Sequence, residues 1–111
     1  MKSMPHIMVT AWYPMYPAKA AEVAKKTYDA VKKFPADESI ATLLAQGFMG
    51  SKVGIKVITI WNVKEGKLEE ALTRIGEMMR FYAEVEGFTY KTELMVTPEE
   101  AWATVGMTPP E

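Results

Sequence analysis

The chain has 111 residues, 13 of them basic and 14 acidic, with one histidine and no cysteine. That length is one domain's worth and buries a modest core without covalent staples. The missing cysteine excludes disulfides, zinc–thiolate sites, iron–sulfur clusters and thiol nucleophiles, and the even charge balance offers no field to recruit nucleic acid or an anionic membrane.

Residues 6–13, HIMVTAWY, alternate: His6, Met8, Thr10 and Trp12 on one side, Ile7, Val9, Ala11 and Tyr13 on the other. This is a strand with apolar groups on both faces. Pro14 and Pro17 end it, and Pro17 suits a first helical position, where its missing donor has no partner to lose. Residues 18–33 have helical spacing, with a stripe of Ala20, Val23, Ala24, Tyr28 and Val31; Lys32 and Lys33 suit the negative end of the helix dipole. Residues 39–48 read as a strand, Met49–Lys52 as a turn, and residues 53–62 as the most β-branched run, hence a central strand. A second helix is expected over 67–85, with Leu68, Leu72, Ile75, Met79 and Tyr82 as its stripe and Gly87 beyond its end. Residues 88–97 alternate more cleanly, as an edge strand does. Thr97 and Glu100 form a capping box for a short helix through Trp102 and Val105, ahead of a Pro-rich tail. No apolar run approaches the roughly 18 residues a membrane span needs. The start, MKSMPHIMV, breaks too soon at Pro5 for a signal peptide. A cytoplasmic protein is expected.

The order β-α-β-β-α-β is the split pattern of a ferredoxin-like α+β fold. We expect a single domain over 1–111, its short C-terminal helix and tail at 98–111, with a four-stranded antiparallel sheet and two helices on one face. The first strand and the strand at 53–62 are apolar on both sides, so the uncovered face would be a large apolar patch, which monomers avoid. A second copy, sheet against sheet, is the simplest cover, so the expected partner is the chain itself. The nine methionines fit ordinary core filling, or an adaptable apolar surface.

This length, element order and pair of two-faced strands, with HIMV at 6–9, resemble the dimeric α/β-barrel superfamily. It includes the stress-responsive A/B-barrel, antibiotic-biosynthesis monooxygenase-like, EthD-like and muconolactone-isomerase-like proteins. The resemblance covers residues 5–97 by topology. It implies a cavity between sheet and helices for a small, fairly apolar molecule, often with no cofactor. In the family's cyclase members the strand-one histidine lines a ligand cavity beside a second histidine. His6 matches the first role, and no other histidine is present for the second. Fold alone does not choose among the superfamily's roles, which run from enzymes to proteins of unknown role.

Three residues are candidates for acid–base chemistry. His6 is a general base on that resemblance, or a half-exposed rim residue. Lys56 interrupts the most apolar strand, either as a base or anion hook or as a stem along the sheet with its head in water; Glu93 or Glu38 would be its partner. Tyr82 would polarise an oxygen. Trp12, Tyr13, Tyr16 and Trp61 are candidate ligand walls, or plain core. Gly50-Ser51-Lys52 lacks the order and the following helix of a phosphate loop and reads as a hairpin turn. One histidine with scattered carboxylates has no metal-ligand spacing, and haem through His6 or a methionine has no further support, so no metal and no cofactor is expected. Three functions stay open: a homodimeric small-molecule binder, a cofactor-independent isomerase, cyclase or monooxygenase using His6 as base, and an interaction domain with a filled core.

Overall fold

A computed structural model describes residues 5–110. In chain order the elements are β1 (His6–Tyr13), α1 (Pro17–Lys33), β2 (Ala41–Ser51), β3 (Gly54–Val63), α2 (Leu68–Tyr82), β4 (Thr89–Met95) and α3 (Pro98–Ala103). The strands form one sheet in the order β2-β3-β1-β4, every neighbouring pair antiparallel. The fold is ferredoxin-like. Among the described residues no helix is long and apolar enough to cross a membrane.

Register sorts the side chains. Ile7, Val9, Ala11 and Tyr13 of β1 stand beside Trp61, Thr59, Val57 and Ile55 of β3. This is the helix face, and both buried clusters sit on it. Ile7, Val9 and Val63 meet Ala71 and Ile75 of α2, while Ala11, Tyr13 and Val57 meet Val23 of α1 together with Val85 and Phe88. The opposite face carries His6, Met8, Thr10 and Trp12 beside Asn62, Ile60, Ile58 and Lys56. The buried residues of α1 and α2 belong to the first face and α3 buries none, so this second face is open. The shortest dimension of the molecule, 19 Å, is that of one sheet plus one helix layer, each about 10 Å thick.

Pro17 opens α1 as its spacing implied, with Tyr16 as N-cap, and Lys32 and Lys33 fill the last turn. The stripe expected on α1 is corrected. Val23 and Ala30 are buried, Ala20 packs against the core and Ala24 is exposed, while Tyr28 and Val31 are 76% and 66% exposed. The inward line is Ala20, Val23 and Ala30, with the exposed Thr27 at its margin. Small side chains let the helix approach, and the larger ones are turned outward. On α2 Ala71 likewise takes the core position and Leu72 is exposed.

The β2–β3 hairpin is longer than expected. Met49, Gly50 and Ser51 pair with Lys56, Ile55 and Gly54, so the turn is Lys52–Val53 and not Met49–Lys52. Val53 stands in the turn, outside the strand. Gly54 has φ +127°, and a Cβ there would lie 2.2 Å from the Tyr13 carbonyl oxygen. Only glycine fits this crossing of the hairpin's root over the end of β1. A bulge at Leu44 shifts the β2 register between Leu43 and Ala45. The α3 cap is the expected one: Thr97 Oγ1 accepts from the Glu100 N–H at 3.2 Å.

Candidate functional site

Between the sheet and the helices lies a cavity of about 140 Å³. Its floor is Val9, Ala11 and Val57, with Trp61 at one end, Tyr13 and Phe88 at the other, and Tyr82 on the helix side. It stays open because α1 leaves β2 uncovered: Phe48, on the helix face of β2, is 63% exposed. Tyr82 stacks on Phe88, with ring centroids 5.5 Å apart and planes at 18°.

Two hydrogen-bonded pairs give this apolar cavity polar points. The Tyr82 hydroxyl donates to Thr27 Oγ1 at 2.9 Å, and Thr27 in turn donates to the Val23 carbonyl at 2.9 Å. The phenolic proton is thereby committed to the helix, and the Tyr82 oxygen meets a ligand as an acceptor. Gln46 Nε2 donates to Thr59 Oγ1 at 3.1 Å across β2 and β3, leaving the Thr59 hydroxyl proton and the Gln46 carbonyl oxygen for a ligand. Burial pushes the Tyr13 phenol above its usual value, so it stays a neutral donor at physiological pH.

A second chamber of about 370 Å³ adjoins the first and shares Trp61, Ile75 and Met78 with it. The segment between α1 and β2 forms its outer wall, through Phe34, Asp37 and Ile40. That wall is pinned. The Arg74 guanidinium donates to the Pro35 carbonyl, and Asp37 accepts from the backbone N–H and the hydroxyl of Ser39. The Ser39 hydrogen bonds, and then the Arg74 and Lys67 charges, hold the Asp37 carboxyl below its ordinary value.

The seven residues singled out in the sequence fall into separate places. Tyr13, Trp61 and Tyr82 line the cavity. His6, Trp12 and Lys56 stand on the open face. Tyr16, the N-cap of α1, points to solvent at 72% exposure. Trp12 and Trp61 therefore do not share a layer, and His6 and Tyr82 lie on opposite sides of the sheet. His6 pairs with Asn62, six residues along β3 from Lys56, a separation of roughly 20 Å along a strand. Lys56 Nζ sits over the Trp12 ring at 6.0 Å, and Glu93 is 3.5 Å from Lys91. At the end of the open face, His6 Nδ1 and Asn62 Oδ1 are both buried and have no hydrogen-bond partner among the described residues.

Sequence reasoning missed Thr27, Gln46, Thr59 and Met78. Gln46 and Thr59 carried a signal, as polar interruptions in otherwise apolar strands. Thr27 and Met78 carried none beyond their helical phase. Among the described residues no group of three or more histidine, cysteine, aspartate or glutamate side chains is gathered as a metal cage.

Comparison with protein-family models and with curated proteins gives no match. Among solved structures, a conserved protein from Methanosarcina mazei is similar at TM-score 0.52 and 15% identity, over 85% of this chain and 94% of that one. Aminopeptidase PepT from Bacillus cereus reaches TM-score 0.54 at 17% identity, over 97% of this chain but only 37% of the aminopeptidase. A proposed antibiotic biosynthesis monooxygenase from Caulobacter crescentus is similar at TM-score 0.48 and 21% identity, over 86% of this chain and 92% of that one. What is shared is the fold.

Proposed function

We propose that the protein is a homodimer in which each subunit binds one small, largely apolar molecule between sheet and helices. The observation that carries this reading is the cavity itself: aromatic walls around about 140 Å³, with the Tyr82–Thr27 and Gln46–Thr59 pairs at its margin. An apolar cavity of about 150 Å³ holds a benzene ring, so a single substituted ring fits. A few placed polar groups in an apolar pocket are what orients a bound small molecule.

Self-association is supported by the open face. Met8, Trp12, Ile58 and Ile60 form an apolar field there with no helix buried against it. In this reading His6 faces the space between two sheets and not the cavity. With the Tyr82 proton held by Thr27, a proton donated in the cavity then comes from the neutral Tyr13 phenol or the Thr59 hydroxyl, and the oxygen-polarising role expected of Tyr82 passes to them.

Native mass spectrometry of the purified protein tests both halves. The expected result is a dimer carrying a small molecule, or a dimer that takes up p-cresol at one per subunit. A monomer at micromolar concentration overturns the dimer. A protein that neither carries nor takes up a small molecule overturns the binding site.

A further inference from the structure

We infer that the two chambers form one bipartite site, divided by the Met78 side chain. It is built for a ligand, not an anion, in which a hydroxylated ring is joined to a second group bearing a carbonyl or hydroxyl. This rests on the cavity reading above and extends it to a substrate class.

Three side chains line both chambers: Trp61 from β3, and Ile75 and Met78 from α2. Ile75 is buried at 5% exposure within the core around Ile7 and Val63, and Trp61 packs against the same core. Neither moves without disturbing that core. Met78 is only half-buried and is not part of either core cluster. Methionine is unbranched and turns about three bonds, so it re-packs around what it meets. Met78 is therefore the movable part of the partition, and its volume sets how freely a ligand spans both sides.

The chemistry of the chambers differs. The inner one is ring-sized and offers an acceptor at Tyr82 and a donor at Thr59, which suits a phenolic hydroxyl. The outer one, about 370 Å³, has room for a second ring, and its wall mixes Ile40, Leu43 and Phe34 with Thr42. Its rim carries two carboxylates, Asp37 and the exposed Glu38, against one guanidinium: Asp37 is held by Ser39 and faces the Arg74 charge, while Arg74 donates to the Pro35 carbonyl. With two carboxylates against one engaged guanidinium at the rim, an anionic second group is disfavoured.

Isothermal titration calorimetry with p-cresol, which fills the inner chamber only, and 4-hydroxybenzophenone, which needs both, tests the inference. The wild-type protein should bind the ketone at least tenfold more tightly than p-cresol. Met78→Trp, which plugs the passage, should cut that advantage below twofold. Met78→Ala should keep or increase the advantage. A wild-type ratio below threefold, or an equal loss of both ligands in Met78→Trp, overturns the bipartite site while leaving the cavity reading standing. The wild-type ratio decides the matter even if Met78→Trp does not fold. If the wild-type protein binds neither compound, the cavity reading falls and the bipartite site with it.

Discussion

The two faces of the sheet are made by the same strands and have opposite fates. On β1, Ile7, Val9, Ala11 and Tyr13 look toward the helices, and Met8, Thr10 and Trp12 look away from them. Both sets are largely apolar, so hydrophobicity does not distinguish them. What does is the element laid over each. The first set is covered by α1 through the small Ala20, Val23 and Ala30 and by α2 through Ala71, Ile75 and Met79, and this incomplete cover leaves a ring-sized void with Tyr82, Thr27, Gln46 and Thr59 at its margin. The second set has no cover within the subunit and presents a surface with no void. The first face thus suits a small molecule and the second a flat partner.

That contrast can be broken in graded ways. Gly54→Ala should abolish it altogether, because the added Cβ meets the Tyr13 carbonyl at 2.2 Å and the backbone there has φ +127°. A loss of about 3 kcal/mol and a fall in melting temperature of roughly 10 °C or more are expected in a thermal unfolding scan. Ile60→Glu should separate the faces. A carboxylate in the middle of the open face should weaken self-association by about a hundredfold or more, because a charge would be buried there unpaired. Light scattering should then show a monomer that still binds p-cresol. Tyr82→Phe should do the reverse, leaving the dimer intact and weakening p-cresol by roughly fivefold, the worth of one hydrogen bond. A dimer defect in this variant, or a binding defect in Ile60→Glu, would mean the faces are coupled through the sheet.

The smallest effect concerns the outer wall. The folded Asp37 pKa is depressed, so its contribution is present above the unfolded value of about 3.9 and is lost as pH falls through the lower folded one. The Ser39 amide resonance should therefore titrate with an inflection below the ordinary aspartate range, and Asp37→Asn should remove it. An inflection at or above that range would detach this wall from Ser39 and Arg74.

Much of this architecture was legible in the residues. Alternation fixed β1 at His6–Tyr13, the β-branched run placed β3 at the centre, and Thr97 with Glu100 marked the α3 cap. Proline and glycine carried the boundaries of α1 and the turn at Gly87 because their backbone limits are local. The inward face of α1 was not legible. Tyr28 and Val31 outrank Thr27 and Ala30 in apolar content, yet close approach to the sheet favours the smaller pair, and that preference exists only once the partner surface is present. The candidate site was half legible for a similar reason. Residue type pointed to Tyr13, Trp61 and Tyr82, but only cross-strand register shows that His6, Trp12 and Lys56 belong to the other side.

The single extra residue in β2 has a further consequence. Counted by strict alternation from Leu43, Gln46 and Phe48 would face away from the cavity; with the insertion at Leu44 they stand beside Thr59 and Val57 and face into it. Leu44 thus works as a frame marker for the strand. Deleting it would let Ala45 follow Leu43 in strict alternation and keep Gln46 and Phe48 on the cavity side, whereas drawing it into the regular ladder would move every downstream side chain to the other side of the sheet. Such a slip would strip the cavity of its outer polar pair and turn an amide and a phenyl ring onto the opposite face of the sheet. Relatives that keep this composition but lack that one position would have to be aligned with a gap there before their cavity residues could be compared with these.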